Sequence, residues 1–170
     1  MNKDSTRRTV KIAAATIFGG YCALMIWLLF GQRMGVSSGG TYWEQLQWNT
    51  NLVPFRTVME FIITAASSSN PYLARHAVIN LLGNIVMFIP LGFFLPCIWD
   101  SLQKFRRCIF CVVGVIVLIE LIQLFTLLGS CDIDDLILNV VGAAAGYWLF
   151  MGLHFLIRSK GNRTTDGGFK

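Results

Sequence analysis

Charge is what this 170-residue chain has least of: Asp, Glu, Lys and Arg make up 14% of it, where a soluble globular domain carries about 25%. That scarcity excludes an ordinary water-soluble surface. Histidine is nearly absent, with His76 and His154 the only two, so a histidine-built metal centre has no raw material. The five cysteines, Cys22, Cys97, Cys108, Cys111 and Cys131, are odd in number and spread along the chain, which argues against a disulfide framework. Cys108 and Cys111 have CxxC spacing, but no second pair or histidine accompanies them, and they read as small apolar packing residues rather than a metal or redox site.

What fills the chain is apolar. Hydrophobic residues make up 55% and the mean hydropathy is +0.60. A bilayer core needs roughly 20 apolar residues in a helix, and four such runs are present: about 12–30, 77–98, 108–128 with the single charge Glu120, and 136–157 with His154 near its end. The first run follows a basic start, yet it exceeds a secretory signal core, and Gly35, Ser37 and Ser38 make a poor cleavage site. It reads as retained. Tyr21 just before Cys22 argues against a lipoprotein site.

Lys and Arg are retained on the cytoplasmic side of short connections. The N-terminus has Lys3, Arg7, Arg8 and Lys11, the second loop Lys104, Arg106 and Arg107, and the tail Arg158, Lys160, Arg163 and Lys170. The third loop, 129–135, has none. Arg33, Arg56 and Arg75 fall in the first loop, whose length of about 45 residues weakens their vote. The net charge of +5 is thereby explained by topology and lipid headgroups, and no nucleic-acid partner is expected.

The expected architecture is an all-α integral membrane protein with four transmembrane helices and both termini cytoplasmic. It comprises a basic N-terminus at 1–11, one membrane domain at 12–157 and a basic tail at 158–170, of which 161–170 reads as disordered. The first outer loop contributes a segment at 43–65 whose apolar spacing and two tryptophans, Trp43 and Trp48, suit an interfacial or a re-entrant helix. Residues 67–71 read as a turn before the second span.

Polar residues inside the spans need partners in hydrocarbon and therefore face the bundle or a wet cavity. They occur in pairs on single helix faces: Asn80 with Asn84, Glu120 with Gln123, and Asp135 with Asn139. At 1.5 Å per residue, Asn84 lies roughly 10 Å below the outer end of its helix, Glu120 roughly 12 Å and Asn139 roughly 5 Å. All three pairs fall at one level, which predicts a shared outer polar cavity. Amides suit interhelical hydrogen bonding. Glu120 is a different matter, because an unpaired carboxylate in hydrocarbon costs several kcal/mol or takes up a proton. It calls for Arg, a metal, a proton or a polar substrate. The acidic turn of Asp132, Asp134 and Asp135 caps the fourth helix, or, with Glu120, supplies oxygen ligands to Mg²⁺ or Ca²⁺. No firm cofactor is expected, and Asp132, Asp135 and Glu120 are the metal candidates. Further along the fourth helix, Gly142 and Gly146 allow close helix approach, within the chain or in a homo-oligomer. Pro90 near the middle of the second span predicts a bend.

Three blocks carry a resemblance: 51–55 (NLVPF), 80–93 (NLLGNIVMFIPLGF), and Glu120 with Gln123 followed by 132–142 (DIDDLILNVVG). In order and spacing they resemble the VanZ-like family of small bacterial membrane proteins, over roughly 51–146. The resemblance implies a multi-pass protein of the bacterial cytoplasmic membrane that lowers susceptibility to teicoplanin and related lipoglycopeptides. Where many members carry Arg before the acidic turn, this chain has Gly129 and Ser130, which leaves Arg56 or Arg75 to partner Glu120 or Asp135. The candidate binding residues are Asn51, Arg56, Asn80, Asn84, Glu120, Gln123, Asp132, Asp135 and Asn139. Beyond the lipid bilayer, the expected partner is a lipid-linked envelope precursor or the lipoglycopeptide itself. The leading reading is a binding protein. An enzyme acting on a phosphate-containing envelope lipid, with Glu120 as base or metal ligand, and a structural partner in an envelope complex are the alternatives. No Ser or Cys nucleophile is paired with a base in the sequence, and this weighs against the enzyme.

Overall fold

The computed structural model describes the backbone of residues 3–31 and 39–166 and the side chains of residues 5–31 and 39–157. Arg33, Gly35, Ser37, Ser38 and Lys170 lie outside the described residues. Helix α1 (Lys3–Ile26) continues through a π turn (Trp27–Gly31). Two short helices follow, α2 (Tyr42–Trp48) and α3 (Arg56–Ser67), and then the long helices α4 (Pro71–Ile98), α5 (Phe105–Phe125) and α6 (Ile133–Asp166). Four helices are long and apolar enough to cross a membrane: Ser5–Gly31, Pro71–Ile98, Phe105–Phe125 and Ile133–Ile157.

Capping moves three of the expected boundaries. Residues 68–70 make the turn between α3 and α4, and they also cap α4: Asn70 accepts from the Tyr72 amide at 3.0 Å, and Pro71 takes the first helical position, where its missing N–H costs nothing. The second span therefore begins six residues before 77. Helix α5 stops at Phe125 rather than 128, because Leu127 turns left-handed with φ 55° and the Leu128 amide bonds back to the Gln123 carbonyl at 3.0 Å, which closes off the last turn. Helix α6 begins at Ile133, where Asp132 accepts from the Asp134 amide at 2.9 Å. At its other end the α6 backbone stays helical to Asp166, where a disordered tail is expected from residue 161.

The bundle is built on α4 and α6, which run parallel with their backbones touching. A Cβ on Gly142 would stand 1.9 Å from the Ile85 carbonyl oxygen, one on Gly146 1.9 Å from that of Ile89, and one on Gly92 1.8 Å from that of Ala143. Only hydrogen fits at these points. The small-residue stripe is therefore consumed inside the chain, which corrects the idea of a homodimer through Gly142 and Gly146. Helix α4 continues unbroken through Pro90 and Pro96, and in the turn around Pro90 the Tyr21 hydroxyl of α1 donates to the Met87 carbonyl at 2.8 Å.

Phe88 and Leu95 of α4, Cys108, Val112 and Ile116 of α5, and Ala143 of α6 form the core. Cys108 is wholly buried there, as a small apolar side chain would be. With α1 and α5 antiparallel to α4 and α6, the bundle has two unlike ends. The start of α1 and the 3₁₀ turn Asp100–Gln103 share the end rich in Arg and Lys, here the basic end. The loop end holds α2, α3 and the acidic turn.

Candidate functional site

At the loop end two short extended pieces pair in parallel, β1 (Thr50–Asn51) with β2 (Cys131–Asp132), in the register Thr50 with Cys131 and Asn51 with Asp132. The Cys131 amide extends the pairing to the Asn49 carbonyl at 2.7 Å. This joint sets the first loop against the acidic turn.

Asp132 is the hub. Its Oδ1 accepts from the Asn51 amide at 3.2 Å and from the Asp134 backbone, while its Oδ2 accepts from the Thr57 hydroxyl at 2.6 Å. Asn51 also donates to Thr57 at 2.9 Å and accepts from the Val53 amide at 3.2 Å, which shapes the turn into α3. The Asp132 backbone N–H points the other way, to Glu120 Oε2 at 3.3 Å. Glu120 is only 5% exposed, so its carboxylate serves the loop from inside the bundle.

Asp134 is fully buried. Its Oδ1 accepts from the Phe55 amide at 2.5 Å and its Oδ2 from the Val58 amide at 3.1 Å. It thus caps α3 from another helix. The cap is needed because Phe55 enters α3 in the left-handed region, φ 65°, and no local side chain caps that end. An anionic carboxylate facing the positive end of a helix is favoured by both the free amides and the macrodipole. One residue on, Asp135 Oδ1 accepts from the Asn84 amide, tying α6 to α4.

The three sequence pairs do not converge on one cavity. Asn84 meets Asp135, and Glu120 meets the backbone of Asp132. Gln123 donates instead to the Leu29 carbonyl in the π turn after α1, at 3.2 Å, because three residues turn a helix by about 300°, leaving the Glu120 and Gln123 side chains about 60° apart. Asn80 lies one turn nearer the loop end, with its amide nitrogen 3.2 Å from His76 Nδ1 on its own helix. Asn139 is 5% exposed, and among the described residues its Oδ1 has no hydrogen-bond partner. Arg56, expected to face Glu120 or Asp135, pairs with Glu60 of its own helix at 3.2 Å, and Arg75 is exposed.

Where an open cavity was expected, Asn51, Thr57, Glu120, Asp132 and Asp134 are joined by hydrogen bonds. One cavity lies beside Trp43, Leu46 and Leu52, and two lie at the basic end. Asp132, Asp135 and Glu120 were only candidates for Mg²⁺ or Ca²⁺, and among the described residues no three His, Cys, Asp or Glu are grouped to hold a metal ion. Both oxygens of Asp132, like both of Asp134, already accept from protein donors. Chemically, the cluster positions backbone. Thr57 and Asp134 carry it and were absent from the expected set. Asp134 stands in the same acidic turn as its recognised neighbours, whereas no local pattern marks Thr57.

On the loop-end surface, Trp43, Trp48, Leu52, Val53 and Phe55 are exposed, as are Met59, Ile62 and Ile63 of α3. Comparison with known families matches residues 18–157 to the model described as VanZ/LLP1. No curated protein and no solved structure matches the chain.

Proposed function

The chain belongs to the VanZ/LLP1 family, and from that premise we propose that it lowers the susceptibility of a bacterial cell to teicoplanin and related lipoglycopeptides by engaging a lipid or lipid-linked group of the envelope. In this reading the basic end faces the cytoplasm with both termini, and the loop end lies in the outer leaflet. Retention of Lys and Arg on the cytoplasmic side supports that orientation.

The observation that carries the reading is the Asp132 and Asp134 cluster. It spends two carboxylates on holding α3 and the turn before it against the bundle. What is held outward is aromatic and apolar, and tryptophan favours the headgroup level. α3 then lies along the leaflet as an interfacial helix, and the exposed platform, not a pocket, meets the lipid. Lipoglycopeptides that anchor by an acyl chain and bind a membrane-linked precursor would meet their target at the same level.

The test is teicoplanin and vancomycin susceptibility in a sensitive Gram-positive host that expresses the chain or its Asp134→Asn form, with membrane levels measured for both. Teicoplanin tolerance selectively raised by the wild type and lost in the variant at equal membrane level is the expected result. Unchanged susceptibility with the wild type present in the membrane would refute the resistance role.

A further inference from the structure

The basic end carries a cleft that the cluster does not touch. Helices α1 and α6 both pack against α4, seen in the ring contacts of Phe18 with Phe94 at 6.0 Å and of Phe150 with Phe93 at 6.1 Å. Toward the basic end they leave a cavity of about 690 Å³ between them. Its floor is Phe93 and Cys97 of α4, and its walls are Val10 of α1 with Phe150, Leu153 and Ile157 of α6.

The mouth is built differently. Arg7 and Lys11 both reach one oxygen of Asp100, at 3.0 and 2.7 Å, while the other oxygen accepts from Gln103 at 3.1 Å. Two cations thus share one carboxylate and leave a net positive charge at the rim, with Arg8 lining the adjoining cavity. Asp100 holds both cations in place, and a guanidinium bonded through one nitrogen keeps further donors free.

We propose that this cleft binds one anionic glycerophospholipid of the leaflet at the basic end, its phosphate at Arg7 and Lys11 and an acyl chain between α1 and α6. The volume is that of a ligand site. Thr6, Gln103 and His154 also line the cleft, but the apolar half formed by Val10, Phe93, Cys97, Phe150, Leu153 and Ile157 suits a chain that a free phosphate lacks, and a cationic rim distinguishes an anionic from a zwitterionic headgroup. The proposal concerns the opposite end from the resistance reading and stands or falls apart from it.

Full-length protein would be reconstituted in phosphatidylcholine vesicles containing a minor share of phosphatidylglycerol, extracted in mild detergent, and weighed with its retained lipid by native mass spectrometry. Retention of a single phosphatidylglycerol in preference to phosphatidylcholine is expected. Arg7→Gln combined with Lys11→Gln should lower that preference roughly 25-fold, at about fivefold per cation. Leu153→Trp fills the cleft without changing its charge and should lower retention of both lipids. Wild type that retains neither lipid, or both alike, overturns the proposal, as does an undiminished preference in the folded double variant. Because Arg7 and Lys11 also secure Asp100, a phosphatidylglycerol with a photoreactive acyl chain is crosslinked to the wild type as well. Adducts at Phe150, Leu153 or Ile157 support the site, and adducts solely elsewhere overturn it.

Discussion

Replacing Asp134 with Ala should free α3 without unfolding the bundle. The carboxylate accepts two backbone amides, Phe55 at 2.5 Å and Val58 at 3.1 Å, and a hydrogen bond to a charged group contributes about 1.5–3 kcal/mol. At the lower figure the pair contributes about 3 kcal/mol, to which loss of the macrodipole interaction adds about 0.5 kcal/mol. These contacts lie outside the α4–α6 seam, so the loss falls on local opening of the α3 entry. The sum of about 3.5 kcal/mol is a change of roughly 370-fold in an opening equilibrium. Hydrogen exchange on protein in nanodiscs reads this directly: the Phe55 and Val58 amides should exchange about two to three orders of magnitude faster in the variant, while amides in the middle of α4 keep their rates. Asp134→Asn keeps the shape but turns an N–H₂ toward one of the two amides, and should fall between. Unchanged exchange at Phe55 and Val58 in Asp134→Ala would refute the capping argument, and with it the claim that the cluster holds the platform.

Gly142→Ala and Gly146→Ala each place a methyl 1.9 Å from a backbone carbonyl, so the α4–α6 seam must part, at a cost of about 1–3 kcal/mol or more. Gly114→Ala, with nothing within 4 Å of its Cβ, should be neutral or stabilising by up to about 1 kcal/mol, and denaturant titration of the three variants in detergent tests the contrast. Thr57→Val keeps the side-chain shape and removes the donor to Asp132 Oδ2; a loss of about 2 kcal/mol at this joint should speed thiol labelling of Cys131, which pairs with Thr50 in the adjoining register. The Asp100 carboxyl is held below the usual range, first by its hydrogen bond from Lys11 and then by the charges of Lys11 and Arg7. Its folded value lies under its unfolded one, so the stabilisation is present above about pH 4 and is lost as pH falls through the folded value. Thermal melts of wild type and Asp100→Asn should therefore differ at neutral pH and converge in acid, with a small and salt-sensitive difference because Asp100 is about half exposed. A difference that grows on acidification would contradict the pairing.

The four long helices were legible because lipid imposes one length and one polarity on them, and uncharged runs report both. Their ends were harder to read. Asn70, Leu127 and Asp132 decide three of them, and the left-handed Leu127 stands where a glycine would have marked the stop. The polar residues were legible as individuals, since a carboxylate such as Glu120 is conspicuous in hydrocarbon. Their partners were not, because Glu120 meets a backbone amide across the loop and Asp134 meets the amides of Phe55 and Val58. Backbone donors carry no sequence signature. The β1–β2 joint is two residues long on each side, below the length at which period-2 alternation shows.

These partners also bear on where function resides. A cluster that is to receive a ligand keeps acceptors or donors open, and each of the two oxygens of Asp132 and of Asp134 already accepts from the first loop. Such an arrangement rigidifies what it binds, and here it binds the approach to α3. Burying carboxylates in a membrane protein is costly unless their contacts do something the apolar residues around them cannot. Apolar packing would hold α3 by area alone, with freedom to slide. Four defined acceptor oxygens instead fix its entry angle and register, and so the level at which Trp48, Leu52 and Phe55 stand at the loop end. On this argument Glu120, Asp132 and Asp134 set position, and at the loop end contact with lipid falls to residues that carry no charge.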